Sequence, residues 1–110
     1  MNMLNSLILE GEVTEKEVKK IPNGLSLELV SKRHRKEGEE VKEEDSFFTV
    51  EVYGKLADFS ENKLVKGQGI RIVGRLASKT WKDEEGKEYS RVYIIAEHIE
   101  FRPNLRKARD

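Results

Sequence analysis

The sequence predicts an all-β fold with one short helix, arranged as a small, partly open barrel. Five segments alternate apolar and polar residues with the period of a half-buried strand, and turn-forming residues separate them. A single stretch of helical spacing lies between the third and fourth of these segments. A chain of 110 residues has the size of one domain and can bury a modest core without cross-links. We therefore expect one folded domain over residues 1–103 and a short basic tail over residues 104–110.

The first two strands are predicted at residues 7–13 and 25–29, where apolar and polar side chains alternate. The turn signal Pro-Asn-Gly at residues 22–24 separates them. Residues 32–45 have no apolar periodicity, because basic residues and a histidine come first and six acids follow. We expect this segment to be a long, mobile hairpin connection.

The third strand is predicted at residues 47–53, and the apolar spacing of residues 55–64 predicts the short helix. The fourth and fifth strands follow at residues 70–81 and 89–101, joined by a hairpin connection at residues 83–86. Five strands with one helix between the third and the fourth is the order of an OB-fold, a five-stranded barrel.

Composition excludes several classes of function. The chain has no cysteine, which excludes disulfides, zinc knuckles and thiol catalysis. Its two histidines, His34 and His98, are far apart, so we do not expect a structural metal. No nucleophile–base motif and no phosphate-cradling glycine loop is present, so we expect no enzyme activity. Without a membrane-length apolar run or a secretory signal, the protein is expected in the cytoplasm.

Charge is balanced overall but segregated along the chain. Lysine and arginine total 21, as do aspartate and glutamate, which by itself does not favour a nucleic-acid ligand. Residues 65–82, however, contain five cations and no acid, and residues 32–36 form a second basic cluster. The distribution therefore leaves two positive segments, one on a predicted strand and one in a predicted loop.

Alternation assigns faces to the third and fourth strands. The apolar set Phe48, Val50 and Val52 is predicted to face the barrel, which places Phe47, Glu51 and Tyr53 on the exposed face. The fourth strand carries Trp81 on one side together with cations; these are Arg71, Arg75 and Lys79. A β-bulge would reverse the faces downstream of it, so the assignment depends on an unbroken strand.

Exposed aromatic residues beside cations are typical of surfaces that bind single-stranded nucleic acid. Bases stack on the rings and cations follow the phosphates, whereas a duplex hides its base faces. An exposed aromatic on a strand has a second interpretation, as a packing or subunit contact. The candidate binding residues are Phe47, Tyr53, Trp81, Arg71, Arg75, Lys79, Lys82, Lys32, Arg33 and Arg35.

The same stretches resemble the bacterial single-stranded DNA-binding proteins. The centre of that family has two aromatics flanking an alternating strand, then Gly-Lys-Leu-Ala and, after a helix, Leu-x-Lys-Gly; residues 47–57 (FFTVEVYGKLA) and 64–67 (LVKG) are similar. The family's Glu-Gly-x-Leu and basic-x-Trp-x-Asp-x-x-Gly are similar to residues 73–76 and 79–86. Its first strand and first turn are similar to residues 5–11 and 22–24.

The resemblance covers residues 5–101 and implies an OB-fold without a cofactor. It implies base-stacking roles for Phe47, Tyr53 and Trp81, and it places Arg75 and Lys79 on the binding face. It also implies a homo-oligomer, for which we expect a tetramer, with a dimer as the alternative.

The chain departs from the family pattern in three places. The family has a further stacking aromatic near the end of its second strand, where this chain offers His34 or Arg35. An acid, Glu12, stands where a basic or neutral residue is usual. The sequence ends at Asp110 without the family's acidic, aromatic-ended tip, so we do not expect recruitment of repair partners through such a tip.

The leading hypothesis is a protein that binds single-stranded DNA without strong sequence preference in replication, repair and recombination. A replication-restart primosomal paralogue or a mobile-element version is a close variant. The alternative from another class is an OB-fold protein–protein interaction module, in which a partner covers the aromatic surface. RNA is an alternative ligand, because stacking alone does not distinguish the two sugars.

Overall fold

The computed structural model describes residues 1–103, and the predicted tail at residues 104–110 lies outside them. The described part consists of strands and one helix. The elements are β1 (Leu7–Val13), β2 (Lys19–Ile21), β3 (Gly24–Glu37), β4 (Glu40–Tyr53), α1 (Gly54–Ser60), β5 (Gly69–Lys82) and β6 (Glu88–Phe101). No helix among these residues is long and apolar enough to cross a lipid bilayer.

The strands form one sheet that closes on itself. Its order is β1-β5-β6-β4-β3-β2, and a further pairing of β1 with β3 closes the barrel. All pairings are antiparallel except that of β4 with β6. The five long strands and the helix between β4 and β5 make an OB-fold, which confirms the predicted fold class and helix position. The short edge strand β2 was not predicted.

The core fills the barrel with the apolar set of each strand. Leu27 and Leu29 of β3 oppose Val50 and Phe48 of β4 across the pairing, and all but Phe48 are fully buried. Phe48 is half-buried and packs against the core cluster. Ile72 of β5 lies in the same cluster, so alternation correctly identified the inward faces of the barrel strands.

Two long hairpin arms extend from this barrel, and one of them corrects a prediction. Residues 32–45 are not a mobile connection: β3 continues to Glu37, β4 begins at Glu40, and the two strands pair along their whole length. The turn is two residues long, with Gly38 at a φ of 65°, a value that favours glycine. The prediction was wrong because both faces of this arm are solvated, so no apolar alternation is required. Opposite charges across the strands replace it, as at Lys32 and Asp45.

The helix is shorter than predicted. It ends at Ser60, and a turn then leads to Leu64. Leu64 is nevertheless buried, as is Ala57, and both belong to the core cluster; the amide N–H of Leu64 donates to the Ser60 carbonyl oxygen at 3.1 Å. The apolar spacing therefore located the helix but overestimated its length, and Phe59, one of the apolar residues in it, is 62% exposed.

Candidate nucleic-acid interface

The outer surface of β4, β6 and β5 carries most of the aromatic residues that the sequence singled out. Cross-strand pairing places Trp81 opposite Tyr89 and Lys79 opposite Arg91, while the parallel pairing sets Glu51 of β4 opposite Ile95 of β6. We call this surface the aromatic face. Its members are Phe47, Thr49, Glu51 and Tyr53 of β4, Tyr89, Arg91 and Tyr93 of β6, and Arg75, Lys79 and Trp81 of β5.

A β-bulge is present in the β5–β6 pairing, but it lies on β6 and not on β5, the strand whose faces were assigned from alternation. Val73 pairs with His98 and Gly74 pairs with Ala96, so the extra residue is Glu97 of β6. Strand β5 is therefore regular from Gly74 onwards, and the predicted alternation holds through Trp81.

Trp81 and Tyr89 form a stacked pair near the end of the β5–β6 arm. Their ring centroids are 5.8 Å apart with an interplanar angle of 18°. Trp81 is 48% exposed and Tyr89 is 38% exposed, so the pair leaves aromatic surface open to solvent. The ammonium of Lys87 lies 5.4 Å from the Tyr89 ring centroid. The pair thus offers a flat apolar surface with a cation beside it, which suits an unpaired base and its phosphate.

The centre of the aromatic face is a polar cluster around Glu51. The Lys79 ammonium lies 2.8 Å from one Glu51 carboxylate oxygen, and the Tyr53 hydroxyl donates to the other. The same ammonium lies 4.6 Å above the Tyr93 ring centroid. The Arg91 guanidinium donates to the hydroxyl of Thr49 on β4. These contacts connect β4, β5 and β6 on the outside of the barrel.

The sequence placed Glu51 on an exposed face, but only 6% of the residue is exposed. Burial tends to raise the pKa of its carboxyl, and the hydrogen bonds from Lys79 and Tyr53 outweigh that effect and lower it. The hydrogen bond to Glu51 raises the pKa of Tyr53 to about 12. The separate hydrogen bond that Lys79 donates to Glu51 raises the pKa of Lys79. The cluster therefore contains one carboxylate and one ammonium at neutral pH.

Phe47 lies at the base of the β3–β4 arm and is 60% exposed. A cleft of about 470 Å³ opens beside it between the two arms. Phe48, Leu76 and Val92 contribute apolar walls, and Arg91 contributes a cation. Cross-strand register puts Lys32 on the same face of the arm as Phe47, two residues further out.

The other predicted cations lie away from the aromatic face. Arg71 is near the opposite end of β5, where its guanidinium is 3.4 Å from Glu10 and 3.6 Å from Glu100. Lys82 pairs in register with Glu88, on the opposite side of the β5–β6 arm from Trp81.

The two remaining candidates are on the β3–β4 arm. Arg33 and Arg35 alternate with Lys32, so they lie on the other side of this arm. Arg35 forms ion pairs with Glu44 at 3.1 Å and Glu37 at 3.5 Å. Both arginines therefore lie away from the aromatic face, and their roles in ligand binding stay predictions.

Tyr89, Arg91 and Tyr93 were not among the binding residues predicted from the sequence. All three alternate along β6, which is the signal that would have grouped them. What the pattern of one strand does not show is which strand lies next to it. Within residues 1–103, no three histidine or acidic side chains are grouped so as to hold a metal ion.

Comparison with known proteins agrees with this architecture. The model of the single-strand binding protein family matches residues 4–102. The single-stranded DNA-binding protein of Aquifex aeolicus is 32% identical over 102 residues, which are 88% of this chain and 69% of the relative.

Solved structures of single-stranded DNA-binding proteins have the same fold as this chain. The wild-type single-stranded DNA binding protein of Thermus aquaticus is 29% identical, with a TM-score of 0.72 over 92% of this chain and 51% of that one. The Plasmodium falciparum single-stranded DNA-binding protein, solved in complex with single-stranded DNA, superposes with a TM-score of 0.77. The superposition covers 94% of this chain and 98% of that one, and at 19% identity it shows a shared fold. Since the family model spans nearly the whole chain, this chain belongs to the single-strand binding protein family.

Proposed function

We propose that this chain binds single-stranded DNA through the aromatic face, without strong sequence preference. The observation that carries the proposal is the exposed Trp81–Tyr89 stack, set on the same sheet surface as Tyr53 and Tyr93. Aromatic faces bind any base that is not paired, and a duplex offers them no equivalent surface. The proteins that the chain resembles are named for the same ligand.

The cations around this surface supply the second part of the proposal. Arg75, Arg91 and Lys87 lie among the aromatic residues, and Lys32, paired in register with Asp45, lies on the same face of the β3–β4 arm as Phe47. We propose that a strand runs across β5, β6 and β4 with its bases on the rings and its phosphates near these side chains. Such a protein coats unpaired strands in the cytoplasm during replication, repair and recombination. It acts as a binding protein and not as an enzyme.

Self-association is part of the proposal. Residues Leu7–Val13 form β1, which pairs with β5 through residues 7–12 but with β3 only through Glu12 and Val13. Most of the second edge of β1 is therefore open for pairing with another strand. Ile8 is 71% exposed on the same strand. Both features support a homo-oligomer, for which we expect a tetramer, with a dimer as the alternative.

Trp81 is the only tryptophan in the chain, so it reports on its own surface. Titration with oligo-dT is expected to quench its fluorescence, and a duplex of equal length is not. Four phosphate contacts predict a log–log salt slope of about −2.8, at roughly −0.7 for each contact with a single strand. Equal quenching by both ligands, or no binding of oligo-dT at low salt, would contradict the proposal and favour a protein-interaction module.

A further inference from the structure

A buried carboxylate stands in the middle of the aromatic face. Glu51 alternates with Val50 and Val52 on β4, which point into the barrel, so its own side chain starts on the outside. It is nevertheless only 8% exposed as a side chain, because Lys79 and Tyr53 contact it from the same surface. An acid at this place opposes phosphate binding, since the ligand is a polyanion.

The cation nearest the centre of this surface is held by that acid. The Lys79 ammonium is 2.8 Å from Glu51, and the Tyr93 ring lies on another side at a centroid distance of 4.6 Å. Half of the Lys79 side chain is exposed, so it lies within reach of a ligand while its charge is already compensated.

A second pair on the same sheet provides the contrast. Arg75 and Glu97 are 3.9 Å apart, and about half of each side chain is exposed. An exposed pair at this distance contributes little, so water and salt compete readily for both charges. The Arg75 guanidinium is therefore free to exchange a carboxylate for a phosphate. A carboxylate that is largely shielded from water, as in the Glu51–Lys79 pair, is screened much less.

We infer that Glu51 withholds Lys79 from DNA phosphate, and thereby limits both the affinity of the aromatic face for single strands and the salt dependence of that affinity. The inference rests on the proposed function and deepens it, since it assigns an affinity-setting role to a residue that does not itself contact DNA. Lys79 then acts as a partner of Glu51 and a cover for Tyr93, and phosphate contacts fall to Arg75 and Arg91.

The first test replaces Glu51 by glutamine, which keeps the shape and removes the charge. For Glu51→Gln, oligo-dT binding is expected to acquire one more phosphate contact, which steepens the log–log salt slope by about 0.7. At moderate salt, affinity is expected to rise about two- to fivefold, the range of one exposed ion pair. The matched control is Glu97→Gln, which makes the same charge change beside Arg75 and is expected to leave the slope nearly unchanged.

The second test removes the ammonium and keeps a hydrogen-bond donor for Glu51. Lys79→Gln alone is expected to leave the salt slope at its wild-type value, because no phosphate contact is lost. In the Glu51→Gln background the same change is expected to abolish the gain. Thermal unfolding verifies that each variant is folded; if Glu51→Gln does not fold, the single Lys79→Gln slope decides.

Three results overturn the inference. If Glu51→Gln leaves the log–log salt slope unchanged, Lys79 does not become available to phosphate. If Lys79→Gln alone makes the slope shallower by about 0.7, Lys79 already contacts phosphate in the wild type. An equal gain from Glu97→Gln shows a general effect of charge. In each case wild-type binding of oligo-dT leaves the proposed function intact, whereas its absence refutes that function and the inference together.

Discussion

Replacing Trp81 by alanine is the sharpest test of the proposed interface. The ring is 48% exposed, and one of its faces packs at a shallow angle against Tyr89. Stacking of one base on an aromatic side chain is worth roughly 1–3 kcal/mol by alanine substitution. If one base stacks on Trp81, the affinity of the Trp81→Ala variant for oligo-dT is therefore expected to be about 5- to 150-fold lower than that of the wild type.

The same substitution is expected to spare the fold. Trp81 lies on the β5–β6 arm and is not part of the core cluster. An aromatic pair contributes about 0.5–1.5 kcal/mol beyond the area it buries, which sets the size of the expected stability loss. Circular dichroism with thermal unfolding measures this loss separately from binding.

The matched control is Thr80→Ala, on the opposite face of the same arm. Thr80 is exposed, directly precedes Trp81 on β5 and pairs in register with Ser90, so it lies on the other side from Trp81. Fluorescence anisotropy of labelled oligo-dT reports binding in both variants, since the intrinsic probe is lost in Trp81→Ala. Equal losses in the two variants, or a Trp81→Ala affinity within twofold of wild type, would refute the assignment of the binding face.

Three further predictions concern stability. Because the pKa of Glu51 is lowered in the folded state, its ion pair stabilises the fold at pH values above the ordinary carboxyl pKa of 4.5, and this stabilisation is lost as the pH falls. Glu51→Gln is therefore expected to flatten the acid limb of a plot of melting temperature against pH. Parallel acid limbs for the variant and the wild type would contradict this. Leu29 has no exposed surface, so Leu29→Ala is expected to lower the free energy of unfolding by about 2–5 kcal/mol in urea titration, and a change below about 1 kcal/mol would place Leu29 outside the core. A Cβ atom on Gly74 would lie 2.2 Å from the Ile95 carbonyl oxygen. Gly74→Ala is therefore expected to disturb the β5–β6 pairing and to reduce both the melting temperature and the affinity for oligo-dT. Unchanged values would show that the two strands can shift apart at little cost.

The barrel could be predicted because its strands are buried on one side only. Leu25, Leu27 and Leu29 alternate with polar residues, and a sheet with one core face requires this period. The two arms lie beyond the core, where nothing imposes a period. The β5–β6 arm was predicted as the hairpin of the fourth and fifth strands, while the residues of the β3–β4 arm were mistaken for a loop.

The candidate site shows the same division between one strand and its neighbours. Alternation alone placed Phe47, Tyr53 and Trp81 on outer surfaces, and the structure brings them onto one sheet. Alternation also placed Glu51 outside, but its burial depends on Lys79, which is 28 positions further along the chain. That contact exists because the parallel pairing sets β6 beside β4 and β5 lies next to β6. A pattern within β4 therefore contains no signal for it.

The arrangement of these charges explains how a chain with no net charge can bind a polyanion. Arg35, Arg71, Arg75 and Lys79 each lie within 4.0 Å of an acid, so four of the predicted phosphate contacts have an acidic partner within the protein. The exposed aromatic rings, in contrast, are not neutralised by a partner within the protein. Trp81 and Tyr89 stack on each other, but both rings stay partly exposed. Binding that draws more on stacking than on charge weakens less with added salt and discriminates more strongly against paired strands, whose bases are covered. Equal numbers of acids and bases are then compatible with a single-strand ligand, because the arrangement of acids decides which cations remain available to it.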